Sequence, residues 1–228
     1  VKFLAITASN ADEFHMVRVG GLMDLVEAGR TGPDPAGLTP QEQLGLIADS
    51  DSRQYSSMYS TYGSVMEELE PHGLTILSRR DLSPADRKYL ARSFSQELEM
   101  VLSPLALDGE APPPLLPALQ VICIFDVSSR AGSSLVAVPI PSAHGRFVRL
   151  PGEEDRLLPV EQLVADNASR LFPECSIEEV ATIRITRNAE VELREDEAPN
   201  LMTEVERMVR HRRRRAPVCL EVEGSVSE

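Results

Sequence analysis

The sequence predicts an α+β protein in two parts. Residues 1–108 form a helical N-terminal domain with long antiparallel helices, and residues 109–228 a small α/β domain with a mostly antiparallel sheet. Three observations carry this. Two helix starts, Thr39-Pro40-Gln41-Glu42 and Ser83-Pro84-Ala85-Asp86, are each followed by apolar residues at helical spacing. A Pro-rich turn, Asp108-Gly109-Glu110-Ala111-Pro112-Pro113-Pro114, marks a change in composition. Beyond it apolar and polar residues alternate with the period of a strand.

The first helix is expected from Asn10 to about Ala28. Asn10 precedes Ala11-Asp12-Glu13, the pattern of an N-cap followed by acidic residues in the first turn, and Phe14, Val17, Leu22 and Leu25 recur at near-helical spacing. Gly20-Gly21 weakens that helix and also lets another backbone come close. Residues 31–38 are loop by composition. Thr39 then caps a helix, Pro40 suits its first position and Glu42 completes a capping box. Leu44, Ile47, Tyr55, Met58, Tyr62, Val65 and Leu69 mark one stripe over about eight turns, interrupted by Asp51 and ended by Pro71-His72-Gly73. The second capping box, at Ser83, opens a stripe of Leu90, Phe94, Leu98 and Val101. Two such helices with a short connection commonly pack as an antiparallel pair. The run Leu74–Leu77 lies between them.

In the second part, Leu119, Val121, Cys123, Phe125 and Val127 define one strand face, and Leu135–Val138 its hairpin partner. Phe147–Leu150 and Leu157-Leu158 read as short strands around Pro151-Gly152. Val160–Leu171 is a short helix ended by Pro173, Val180–Thr186 a strand, Leu201–Arg212 a helix, and Val218–Val222 a closing strand.

Composition narrows the function classes. The 228 residues are 42% hydrophobic and 26% charged, with no apolar run long enough to span a bilayer and no signal-peptide pattern. The chain does not begin with Met, so it reads as a piece of a longer one. Its net charge is −13, spread evenly over both halves, which disfavours nucleic acid as a partner. Aromatics are 4% and Trp is absent, so base-stacking platforms for single strands are not expected. Cys123, Cys175 and Cys219 fit neither a disulfide framework nor a zinc site and point to a reducing compartment.

Catalytic constellations are few. His15, His72, His144 and His211 have no Cys or carboxylate at metal-ligand spacing, and no nucleophile elbow or Gly-rich phosphate loop occurs. No metal site and no catalytic residue is assigned. His15 is either core-facing or site-facing. The run Arg210-His211-Arg212-Arg213-Arg214-Arg215 complements a helix C-terminus, or contacts a polyanion. Asn10 carries both a donor and an acceptor, so beyond capping it can read an adenine edge.

The stretch from Lys2 to Val19, with Ser9-Asn10-Ala11-Asp12-Glu13-Phe14-His15-Met16-Val17-Arg18-Val19 at its centre, resembles the N-terminal domain of bacterial polyphosphate kinases. Arg146–Pro151, Leu171-Phe172-Pro173, Ile183–Leu193 and Ala216–Val222 resemble the family's middle domain, in the family's order. The resemblance implies reversible transfer of the terminal phosphoryl group of ATP to inorganic polyphosphate through a phosphohistidine. It implies a helical domain over the nucleotide site, with Asn10 the nucleotide-binding residue, and a phox-homology-like middle domain that supports a homo-oligomer, a dimer. ATP and ADP are then substrate and product. Mg2+ is expected in the full enzyme, with its ligands and the catalytic His domains outside this chain, which alone would be inactive. The resemblance also implies a cytoplasmic location, membrane association as part of a larger assembly being compatible with it. Ala8, Ala11 and His15 depart from the family's Ser, Leu and aromatic residue, and Pro199 falls near the start of a helix the family usually runs through. The alternative from a different class is a stand-alone, non-catalytic paralogue acting as a protein-interaction module.

Overall fold

The computed structural model describes residues 1–108, 114–130, 132–189 and 216–223. The expected helix Leu201–Arg212, Pro199 and the Arg210–Arg215 run lie outside the described residues. Six α-helices and eight strands are described. They are α1 (Lys2–Phe14), α2 (Gly20–Glu27), α3 (Pro40–Leu69), β1 (Leu74–Ile76), α4 (Pro84–Ser93), β2 (Leu105–Ala106), β3 (Val121–Ser129), β4 (Gly132–Pro139), β5 (Phe147–Arg149), β6 (Asp155–Pro159), α5 (Val160–Asp166), α6 (Ala168–Leu171), β7 (Ser176–Arg187) and β8 (Pro217–Glu223). The architecture is α+β, with an N-terminal helical region and a mostly antiparallel five-stranded sheet of order β2-β4-β3-β7-β8. A smaller sheet, β1-β6-β5, pairs β1 with β6 in parallel and β5 with β6 antiparallel. The chain forms two compact units, one of Val1–Val65 and Ile185–Leu220, the other of Met66–Arg184 and Glu221–Glu228.

In the first unit, α1 begins eight residues before the expected start. Nothing between Lys2 and Val19 breaks a helix, so Asn10 sits inside α1 and caps nothing. A π-helical turn, His15–Val19, joins α1 to α2 without a break, Gly20 N–H reaching back to the His15 carbonyl. That wide turn rotates the residues after it about the helix axis. Of the four apolar residues at near-helical spacing only Leu22 is buried, while Phe14, Val17 and Leu25 are exposed. The covered face is His15, Val19, Gly20 and Leu22. Helix α2 ends in a Schellman motif. Gly29, at φ 68°, donates to the Val26 carbonyl and Arg30 to the Leu25 carbonyl.

The segment after β7 docks on these helices. Asn188, 7% exposed, donates through Nδ2 to Asp24 Oδ2 at 2.7 Å, and Ala189 N–H donates to the Met16 carbonyl at 2.8 Å. Helix α3 starts in the expected capping box. Glu42 Oε2 accepts from the Thr39 N–H and hydroxyl, and Thr39 Oγ1 accepts from the Glu42 N–H. Its stripe is half-covered, with Pro40 its one fully buried residue.

In the second unit the β3–β4 hairpin turns between Ser129 and Gly132, and β7 pairs along the other edge of β3 with a register shift at Asp126/Val127. Cys123, Phe125 and Val127 are buried as the alternation requires. Leu119 stands before the strand with φ 56°. The stripe Leu90, Phe94 and Leu98 is at most 1% exposed, whereas Val101 is exposed. What buries it is the core formed with Cys123, Phe125 and Val138 of the sheet and Leu163 and Val164 of α5. Phe125 and Phe172 meet at 5.2 Å, tilted by 58°.

The Ser83 capping box forms, and its Asp86 does more than cap. Arg156 on β6 grips both carboxylate oxygens, at 3.1 and 2.7 Å. That fork, with the Ser83 hydroxyl, holds the Asp86 carboxyl well below the usual range although burial opposes it. Glu161, 5% exposed, is met by both terminal nitrogens of Arg146. Burial pushes the neighbouring Cys123 thiol up to about 12, with the Glu161 charge adding to the effect.

Candidate functional site

Asn10 lies on a cleft inside the first unit. Thr7, Asn10, Ala11 and Phe14 recur on one face of α1 and form one wall. Ile47, Ser50, Asp51 and Gln54 of α3 form the other, and the space between is about 410 Å³. Phe14, Ala11 and Ile47 supply apolar surface, and the polar heads converge from both helices. Thr7 Oγ1 is occupied, donating to the Phe3 carbonyl at 3.0 Å. The side chains of Asn10, Ser50 and Gln54 make no hydrogen bond among the described residues. Phe3, a further two turns back on α1, is 84% exposed.

The order of this cleft comes from a pair that sequence reasoning missed. His15, on the π turn, is 5% exposed. Its Nδ1 lies 2.7 Å from the Ala11 carbonyl and its Nε2 lies 2.8 Å from Asp51 Oδ2. Tyr55, one turn after Asp51, stacks on the imidazole at 6.4 Å and in turn on Tyr59. Phe14 meets the ring edge-on at 6.1 Å. His15 therefore faces the core rather than solvent, and Asp51 interrupts the apolar stripe of α3 because it answers a buried imidazole. A signal for this existed: two polar residues sat at core-facing positions of neighbouring helices, where burial demands a partner.

Asn10 offers no free backbone N–H to an anion, because its position inside α1 commits it to the helix. Its side chain remains available, as the cleft requires. The other histidines stand apart: His72 is exposed in a 3-10 turn, His144 Nε2 lies 2.6 Å from the Glu97 carbonyl, and His211 is outside the described residues. Among the described residues no three His, Cys, Asp or Glu side chains converge. Among them, too, no helix is long and apolar enough to cross a membrane.

A second depression in the first unit, about 510 Å³, lies along Val17, Arg18, Gly21 and Arg30. A third, about 280 Å³ in the second unit, holds Arg79, Arg80 and Glu161.

Comparison with known proteins gives consistent matches. Residues 1–77 match the family model for the polyphosphate kinase N-terminal domain, and residues 85–228 that for the polyphosphate kinase middle domain. The chain is 37% identical to a polyphosphate kinase of Mycobacterium marinum and 34% identical to one of Halalkalibacterium halodurans. In both cases 100% of this chain aligns, with 32% and 33% of the relative. The chain thus spans about a third of the length of the curated relatives it matches. The crystal structure of polyphosphate kinase from Porphyromonas gingivalis superposes with a TM-score of 0.72 over 91% of this chain and 32% of that one, at 22% identity, which establishes the shared fold.

Proposed function

The chain belongs to the polyphosphate kinase family, and from that premise we propose that it is the nucleotide-covering part of an enzyme that moves the terminal phosphoryl group of ATP reversibly onto inorganic polyphosphate. The observation that carries this is the position of Asn10, unpaired on a cleft between α1 and α3. A cleft with apolar walls and a few polar heads suits a purine base, since a flat ring buries its faces and spends its edge on hydrogen bonds. Phosphoryl transfer itself needs cations around the phosphates and an in-line acceptor. A chain of net charge −13 supplies few of these, so the transferring phosphohistidine and the Mg2+ ligands belong to domains beyond it. In this reading Asn10 orients the base and the middle domain, residues 109–228, supports a homo-oligomer.

Binding of ADP to the purified chain, followed by calorimetry, tests the reading. Asn10→Ala removes one hydrogen bond and is expected to weaken ADP by about tenfold. The chain incubated with ATP is expected to make no polyphosphate. ADP affinity that ignores Asn10 overturns the assignment.

The stand-alone interaction module draws support from a different feature. Phe14, Val17 and Leu25, with Phe3 and Ile6, leave an apolar strip of α1 and α2 exposed. That reading expects no nucleotide binding at all, so the same titration separates the two.

A further inference from the structure

We propose that Asp51 selects the base in the α1–α3 cleft. Its outer carboxylate oxygen accepts a hydrogen bond from an exocyclic amino group such as adenine carries, an inference that rests on nucleotide occupying the cleft beside Asn10. Asp51 lines that cleft and its side chain is 25% exposed. Its two oxygens are not equivalent. Oδ2 is held at 2.8 Å by Nε2 of a histidine that is itself 5% exposed and stacked on Tyr55. Oδ1 has no partner among the described residues.

The proton count makes Oδ1 an acceptor in every arrangement. Both ring nitrogens of His15 face acceptor oxygens, the Ala11 carbonyl and Asp51 Oδ2, so two protons serve those two contacts. Either the ring carries both, leaving a carboxylate, or the carboxyl donates from Oδ2. In both cases Oδ1 carries no proton. A group in this cleft must therefore present a donor to Asp51. Across from it Asn10 can donate or accept.

Adenine meets this demand through its exocyclic amino group, with the ring acceptor beside it left for an amide donor. Hypoxanthine is nearly the same shape but puts a carbonyl oxygen where adenine has the amino group. Its carbonyl would face Oδ1 acceptor to acceptor. Sites built around such a contact discriminate well when buried and less when water shares the edge. The partial exposure of Asp51 points to discrimination of about tenfold rather than thousands.

The test is titration of the full chain with ADP and with inosine diphosphate, in the wild type, in Asp51→Asn and in Asn10→Ala. The wild type is expected to prefer ADP by about tenfold. Asp51→Asn can turn its NH2 toward a carbonyl, so inosine diphosphate should bind more tightly than it does to the wild type and the preference should fall below about threefold. A misfolded variant cannot show that gain. A preference unchanged in Asp51→Asn, or absent from the wild type, overturns the inference. If Asn10→Ala weakens ADP while Asp51→Asn leaves the preference intact, the nucleotide reading stands and the role of Asp51 falls. If the chain binds neither nucleotide, both fall.

Discussion

An alanine at position 20 would put its Cβ 2.5 Å from Cγ and Oδ1 of Asn188 and 3.0 Å from its Cβ. Comfortable contact between such atoms needs about 3.5–4.0 Å, so Asn188 must retreat by about an ångström. It has nowhere open to go, because it is 7% exposed and holds Asp24 through a 2.7 Å hydrogen bond. Overpacking of this kind costs roughly 1–3 kcal/mol. If Asn188 swings out instead, it gives up a hydrogen bond to a charged group, about 1.5–3 kcal/mol. Against either route stands the gain of replacing a helical glycine, about 1 kcal/mol. Gly20→Ala is therefore expected to destabilise the first unit by about 1 kcal/mol, the middle of the roughly 0–2 kcal/mol those figures leave. Gly45, on α3, has nothing within 4 Å of its would-be Cβ, so Gly45→Ala should stabilise by about 0.5–1 kcal/mol. Urea unfolding followed by tyrosine fluorescence reads mainly this unit, since three of the chain's four tyrosines, Tyr55, Tyr59 and Tyr62, lie in it and the chain has no Trp. A Gly20→Ala variant as stable as the wild type would refute the packing argument. So would two alanines that shift the midpoint in the same direction.

Three further outcomes concern the second unit and the cysteines. Asp86→Asn breaks the fork to Arg156 and should cost roughly 3 kcal/mol near neutral pH, the lower end for a buried pair. Because the folded carboxyl is held below its unfolded value near 4, the unfolded state binds more protons in that window. The wild-type advantage is therefore present above about pH 4 and shrinks as pH falls below it, and a gap between the two proteins that stays constant down to about pH 2 would contradict this. Phe94→Ala empties a fully buried site and should lower stability by about 3–5 kcal/mol in calorimetric or urea unfolding. Among the three cysteines, iodoacetamide at about pH 8 should modify Cys175 and Cys219 first. Cys123 should react only on denaturation, because burial keeps its thiol protonated.

Much of the fold was legible because its signals are local. The two capping boxes, Thr39 with Glu42 and Ser83 with Asp86, need only atoms three residues apart. The alternation through Cys123, Phe125 and Val127 fixes a strand's faces wherever the strand goes. The start of the first helix was misplaced at Asn10 by the same kind of signal. A good capping residue caps only if the chain before it is not already helical, and Lys2–Ser9 is. The apolar spacing of that helix does not mark its covered face, because a π turn at His15–Val19 adds a residue to one turn and spacing alone assumes a regular one.

The sequence by itself determined most of the described helices and strands, where α3 and α4 begin, and the family resemblance that singles out Asn10. Those rest on dihedral preference, capping and periodicity over a few neighbouring residues. Only the tertiary structure decided that Leu90, Phe94 and Leu98 are covered by the sheet, that Asn188 leaves no room for a side chain at Gly20, and that His15 meets Asp51 across 36 positions of chain. These contacts join residues far apart in sequence, and their energy depends on burial at the meeting point. No window of neighbouring residues contains that information. The cleft beside Asn10 belongs to the same class, since one wall comes from α1 and the other from α3, and neither is a site without the other.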